Sequence, residues 1–165
     1  MRVGLISDTH DNLAMIQRAL DLFEEEEVEL VVHAGDWVAP FAARKFEGYS
    51  GRLFGSLGNN DGEVIGLTRA FREMQMVVKG EFTEFELDGE RTAVIHGIYT
   101  PVTEAIVDSG LFRTVITGHT HVPLVERKGE VLLVNPGEAC GYLYGKATVG
   151  ILDTCEHDAR IEALQ

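Results

Sequence analysis

Val3 to His10, VGLISDTH, sets a short apolar run directly against a cluster of Ser, Asp, Thr and His. The run has strand character, and Asp11 or Asn12 just beyond it can cap a helix in which Leu13, Ile16, Ala19, Leu20 and Phe23 recur at helical spacing. The same junction recurs downstream. ELVVH precedes Gly35 and Asp36, RLFGSL precedes GNND (Gly58 to Asp61), TAVI precedes His96 and Gly97, and TVIT precedes GHTH (Gly118 to His121). A sheet whose strands all deliver polar side chains to one edge is the arrangement these junctions predict, and ligands in open α/β sheets gather at the carboxyl ends of strands.

Working outward, a strand at Val28 to His33 is followed by a helix near Pro40 to Phe46, where Pro40 suits a first turn. A strand from Arg52 to Leu57 and a helix from about Val64 to Met74 continue the alternation. This βαβαβα succession implies parallel strands with right-handed crossovers. From Phe82 the pattern changes: FTEFEL alternates, and Asp88 and Gly89 separate it from RTAVIH as in a hairpin. A helix from about Thr103 to Ser109 and strands at Arg113 to Thr117, Val122 to Arg127, Val131 to Val134, Ala147 to Asp153 and Ala159 to Leu164 complete an α/β chain whose second half is richer in antiparallel pairing. No linker, repeat or low-complexity stretch divides it, so a single domain over residues 1–165 is expected.

A domain of 165 residues buries about 68–70% of its unfolded surface, enough for a core without staples. The formal charge of −13 repels polyanions, so clamping of a long nucleic acid is not expected. Cys140 and Cys155 are too few for a disulfide framework and read as small core or surface residues, which fits a reducing compartment. Val3 to Ile6 is far shorter than a signal-peptide apolar region, and no stretch approaches the roughly 20 apolar residues of a membrane span. A soluble, cytoplasmic protein with no membrane partner is the expectation.

The cluster chemistry points to metal. Asp supplies an anionic oxygen able to bridge two cations, His a nitrogen of intermediate softness, and Asn a carbonyl oxygen. This mixture favours Mn, Fe, Ni, Co or Zn over Ca or an all-oxygen Mg site. Asp8 and His10 lie two apart, as do His119 and His121, so on extended segments each pair would point to one side and grip one ion. Any one cluster alone reads more readily as a helix cap or a satisfied structural histidine than as a metal site; their recurrence at successive strand ends carries the metal reading.

In that order, SDTH, HAGD, GNND, VIHG and TGHTH resemble the sequence blocks of the calcineurin-like metallophosphoesterases, and the NPGE segment at Asn135 to Glu138 resembles that of their compact bacterial and archaeal phosphodiesterase branch. The resemblance covers Arg2 to about Asp153. It implies a four-layer α-β-β-α sandwich of two mixed sheets flanked by helices. It further implies that Asp8, His10 and His121 hold one divalent transition-metal ion, that Asn59, His96 and His119 hold a second, and that Asp36 bridges them. Manganese is the first expectation, with Ni, Co, Fe or Zn as the others. In such a centre two ions about 3.5–4 Å apart clamp a phosphoryl oxygen and make a bridging hydroxide available for in-line attack on phosphorus. Homo-oligomers are common among the proteins it resembles.

One position departs from the superfamily pattern, which often carries His after the ligand Asn. Here Asn60 stands there, followed by Asp61. These two are the candidate catalytic residues: Asn60 can donate a hydrogen bond to a phosphoryl oxygen but supplies no proton near neutral pH, and Asp61 can orient Asn60 or a water, or stabilise the turn. General acid assistance is typically worth about 10²–10⁴-fold, so slow turnover of alkyl esters is expected. No Arg or Lys lies inside the metal motifs, which favours a small phosphodiester over a monoester dianion; Arg44, Lys45, Arg52 and Lys79 are the cations that could alter this by folding inward. A phosphomonoesterase, a metal-binding regulatory module and a non-catalytic interaction scaffold on the same fold are the competing readings.

Other residues are assigned structural roles. His33 reads as a supporting or core histidine, His157 as a surface turn residue, Ser7 and Thr9 as loop-holding hydroxyls, Asn135 and Gly137 as turn formers near the site, and Tyr99, Tyr142 and Tyr144 as structural rings rather than stacking platforms.

Overall fold

The computed structural model describes residues 1–49 and 51–164. In chain order its elements are β1 (Arg2–Ile6), α1 (Leu13–Glu25), β2 (Leu30–His33), α2 (Pro40–Ala43) with a 3₁₀ turn at Arg44–Phe46, β3 (Arg52–Gly55), α3 (Val64–Glu73) and β4 (Val77–Val78). Then follow β5 (Phe82–Leu87), β6 (Glu90–Ile95), α4 (Thr100–Asp108), β7 (Thr114–Ile116), β8 (Leu124–Lys128), β9 (Val131–Asn135), β10 (Thr148–Asp153) and β11 (Asp158–Ala163). Asn12 caps α1, its side chain accepting from the Met15 amide. Pro101, at the first turn of α4, lets that helix begin at Thr100, three residues before its expected start. The two-residue strand β4 carries too little pattern to be read from sequence.

The strands form two sheets. One has the order β11-β10-β1-β2-β3-β4, the other β5-β6-β7-β9-β8. β1 to β4 pair in parallel, while β10 joins β1 and β11 antiparallel. In the second sheet the β5/β6 and β8/β9 pairs are antiparallel and β7 lies parallel to both β6 and β9. The single sheet edge expected from the junctions is therefore divided: β1, β2 and β3 bring their clusters from one sheet, β6 and β7 from the other. Strand alternation names faces, not partners, so it cannot separate one edge from two facing ones.

Alternation fixes the layers. Val3 and Leu5 of β1, Leu30 and Val32 of β2, Val94 of β6, Ile116 of β7 and Leu132 and Val134 of β9 meet between the sheets in one buried cluster. The intervening residues face outward: Ile6 and Val31 pack with Ile16, Ala19 and Phe23 of α1 and Leu67, Ala70 and Phe71 of α3, while Ala93, Val115, Val131 and Leu133 pack with Val107 of α4. Gly4 permits the close approach of α1, since a Cβ there would lie 2.9 Å from the Phe23 ring. The result is an α-β-β-α sandwich. Among the described residues no helix is long and apolar enough to cross a membrane.

His157 departs from its surface assignment. Its Nε2–H donates to the Arg113 carbonyl (3.1 Å) and its Nδ1 accepts from Arg127 (3.0 Å), so it ties the β10/β11 turn to β7 and β8 of the facing sheet. That contact spans more than forty residues of sequence, beyond the reach of a local reading.

Candidate metal centre

The two sheets place their cluster-bearing ends together, and backbone hydrogen bonds join the loops. The Asp8 amide donates to the Gly35 carbonyl (3.1 Å), His10 to Asp36 (3.1 Å), Gly118 to His96 (2.9 Å) and Cys140 to Asp8 (3.0 Å). Gly118 is required by this crowding, because a Cβ there would overlap the Ser7 hydroxyl and sit 2.8 Å from Asp8 Oδ2.

The ligand pairs converge by a route the spacing did not suggest. Asp8 (φ 52°), His10 (40°), Asp36 (60°), His119 (67°) and His121 (61°) all adopt left-handed backbone conformations. The expectation of extended segments with period-two side chains is therefore corrected: tight turns, not strand ends, aim these groups. Asp and His are among the few non-glycine residues that tolerate this region. Val38, β-branched and held at φ 78°, is strained next to the site, and its amide is pinned to Asp61 Oδ1 at 2.7 Å.

Two buried carboxylates form the centre. Asp8 Oδ2 accepts from the Ser7 hydroxyl and from the His119 amide (3.1 Å), whereas Oδ1 has no hydrogen-bond partner. That free oxygen lies 3.3 Å from His121 Nε2, 3.9 Å from His10 Nε2 and 4.0 Å from His96 Nε2. Asp36 Oδ2 lies 3.5 Å from His10 Nε2 and 3.3 Å from His96 Nε2. The Nε2 atoms of His10 and His96 are likewise buried and without a partner. Asp8, His10, Asp36 and His121 each offer a donor atom, all within 4.8 Å of one another. His119 stands edge-on to His96 with ring centroids 5.2 Å apart, and Asn59 follows β3 in the same loop system, exposed.

The imidazoles are preset by their second nitrogens. His96 Nδ1 contacts the Ala34 carbonyl at 2.7 Å, so it carries the proton and Nε2 keeps its lone pair. His121 Nδ1 contacts Glu138 Oε2 at 2.8 Å with the same consequence. Orphaned buried oxygen and nitrogen atoms facing one space, with tautomers fixed for coordination, fit a cation cradle.

The buried groups also perturb one another electrostatically. Burial raises Asp8 above the usual carboxylate range, and the His96 and His121 imidazoles and Ser7 only partly offset it. Burial also opposes the charge of Asp36, yet His96 and the Asn60 donors prevail and hold it well below that range. Burial opposes protonation of His96 as well, but Asp36 and Asp8 raise it. His119 is lowered by burial and by His96.

Asn60 is turned onto Asp36: its amide N–H donates to Oδ1 (2.8 Å) and its side-chain Nδ2 to Oδ2 (2.7 Å). Asp61 accepts from the amides of Asp36 (3.2 Å), Val38 (2.7 Å) and Gly58 (2.7 Å), stapling two ligand loops together. His33 is fully buried and stacked 3.4 Å from Trp37, with Nδ1 accepting from the Gly35 amide and Nε2 donating to Thr9. It supports the Asp36 loop and is no ligand. Asn135 donates to the Gly118 carbonyl (2.7 Å) and accepts from the Gly137 amide (2.9 Å), a turn-forming role. Tyr99, Tyr142 and Tyr144 are exposed, not packed as structural rings.

Glu138 is the residue the sequence reading passed over. It is buried, and besides His121 it binds the amides of Leu143 and Tyr144. Its only sequence signal was its place in NPGE, in a segment read as a turn.

Comparison with known proteins agrees with this geometry. A model of the calcineurin-like phosphoesterase superfamily domain matches residues 1–157. A phosphodiesterase of Methanocaldococcus jannaschii is 40% identical over 161 residues, covering 97% of each chain. The solved structure of an archaeal phosphodiesterase superposes with a TM-score of 0.95 at 39% identity, covering 99% of this chain and 100% of that one. Vacuolar protein sorting 29 from Cryptosporidium parvum shares the fold alone, with a TM-score of 0.70 at 15% identity over 98% of this chain and 95% of that one. The chain belongs to the calcineurin-like phosphoesterase superfamily.

Proposed function

We propose that this protein is a dinuclear metal-dependent phosphodiesterase acting on small phosphodiesters, as one cytoplasmic domain. The observation that carries the reading is the convergence of three unpartnered buried atoms, Asp8 Oδ1, His10 Nε2 and His96 Nε2, around the Asp36 carboxylate. Asp8, His10 and His121 would hold one ion, Asn59, His96 and His119 the other, and Asp36 would bridge them. When bound, such ions supply positive charge to the phosphoryl oxygens and an activated water.

The remaining work falls to the chain itself. Asp61 holds the Gly58 to Asn60 loop against the Asp36 loop, and Asn60 orients the Asp36 carboxylate through two donors. An Asn60 side chain released toward substrate would offer a phosphoryl oxygen one hydrogen bond but no proton for the leaving group.

Charge supports a diester over a monoester. Arg44 pairs with Glu73, and Lys79 donates to the Glu84 carbonyl. Arg52 begins β3, at the end opposite the ligand loops, and Lys45 lines a surface cleft with Asp21, Glu24 and Glu47. A monoanionic diester demands less cationic compensation than a dianion. The −13 charge disfavours polymeric nucleic acid as substrate.

The test is initial rates on an aryl phosphodiester and the matching monoester, using metal-stripped protein titrated with Mn, Ni, Co, Zn or Mg, beside Asp36→Asn. Metal-dependent diester hydrolysis that disappears in Asp36→Asn is expected. No hydrolysis with any ion would move the reading to a non-catalytic scaffold.

A further inference from the structure

We propose that Cys140 joins His10 and His121 in a thiol-containing site for a soft divalent ion such as Zn²⁺, overlapping the position that Asp8, His10 and His121 offer to the first ion. The inference deepens the proposed metal centre and rests on it in sharing those ligands. The Cys140 sulfur and one nitrogen each of His10 and His121 lie within 4.8 Å of one another.

The thiol is held there by its backbone. The Cys140 amide donates to the Asp8 carbonyl (3.0 Å), and Asn12 Nδ2 donates to the Cys140 carbonyl (3.0 Å), fixing the segment against the first ligand loop. Cys140 Sγ lies 3.6 Å from Glu138 Oε2, the oxygen that also receives His121 Nδ1. The same two histidines belong to a second donor cluster, in which fully buried Asp8 presents its partnerless Oδ1 3.3 Å from His121 Nε2.

Two imidazoles and one thiolate form a three-donor set that would leave the fourth tetrahedral position of Zn²⁺ to water. Manganese draws its affinity from the oxygens and gains little from sulfur, whereas Zn²⁺ and Cd²⁺ gain strongly. On binding, the S–H bond breaks and a sulfur–metal bond forms. The proton departs to solvent past the adjacent Glu138 carboxylate, with no change of oxidation state. Cys140 thereby makes the first position prefer soft ions over Mn²⁺.

The metal-free full chain should be titrated with Co²⁺ as an optical probe and with Zn²⁺ and Mn²⁺ for affinity. A thiolate-to-cobalt charge-transfer band is expected in the near ultraviolet, lost in Cys140→Ser and in Cys140→Ala but kept in Cys155→Ser. Zn²⁺ affinity should fall roughly ten- to a hundredfold in the Cys140 variants, a loss of the size seen when a metal-site partner is removed, with a much smaller change for Mn²⁺. Visible cobalt bands without the charge-transfer band in the wild type would overturn the proposal. So would a band that survives Cys140→Ser, or equal losses of Zn²⁺ and Mn²⁺ affinity in both Cys140 variants. Failure of hydrolysis with every metal would defeat the phosphodiesterase reading and leave this optical result standing.

Discussion

His121 Nδ1 lies 2.8 Å from Glu138 Oε2, and this contact directs the opposite nitrogen, Nε2, toward Asp8 Oδ1. Burial opposes the charge of Glu138, but the Tyr144 amide, His121 and the Leu143 amide overcome it and keep the carboxylate below its usual range. An ionised acceptor of this kind fixes the ring tautomer and strengthens the imidazole as a ligand. Glu138→Gln is therefore expected to lower Mn²⁺ affinity about 10–100-fold, read by calorimetric titration. Unchanged affinity would mean that Glu138 serves only to anchor the Leu143 and Tyr144 amides.

Asn60 supplies no proton, so rates of diester cleavage should fall steeply as the leaving-group pKa rises. In Asn60→His the slope should flatten, with gains on alkyl esters of up to about 10²–10⁴-fold when chemistry limits the rate. A series of aryl and alkyl diesters measured with both proteins decides it. A flat wild-type series at a chemistry-limited step would refute the assignment.

Gly118 sits where a methyl group would overlap Ser7 and crowd Asp8. Gly118→Ala is expected to destabilise the fold by about 1–3 kcal/mol and to weaken metal binding, because relief requires moving the Asp8 loop. Urea denaturation of the metal-free variant measures the first effect and metal titration the second. A variant as stable as the wild type would show that the loops yield freely.

His33 is buried in neutral form, and burial, followed by the nearby His96, lowers its pKa well below the ordinary histidine value. The unfolded chain takes up a proton near pH 6.5 that the folded chain does not, so this stability is present above pH ~6.5 and lost as pH falls toward the folded pKa. The slope from this group approaches about 1.4 kcal/mol per pH unit. Denaturation of metal-free protein between pH 7 and 5 should show a shallower slope in His33→Gln, which keeps a donor and an acceptor but does not titrate. Identical slopes would place the proton uptake elsewhere.

Much of this molecule was determined by local chemistry in the sequence. The Asn12 cap, the helical spacing from Leu13 to Phe23, the Asp88-Gly89 hairpin and the polar clusters ending β1, β2, β3, β6 and β7 all express short-range rules of period, turn and capping. Those rules placed Asp8, His10, Asp36 and His121 in the polar clusters, and the structure brings donor atoms of these four within 4.8 Å of one another.

Only tertiary structure decided how they converge. Pairing choice split the clusters between two sheets, since an alternating strand does not specify its neighbour. Left-handed turns at Asp8, His10, Asp36, His119 and His121, stabilised by hydrogen bonds between loops distant in sequence, replaced the extended segments that residue spacing suggested. The setting of His121 by Glu138, of His96 by the Ala34 carbonyl, and the approach of Cys140 to both His10 and His121 join separate loops. Such contacts depend on where whole strands end in space, and no local window of sequence contains them.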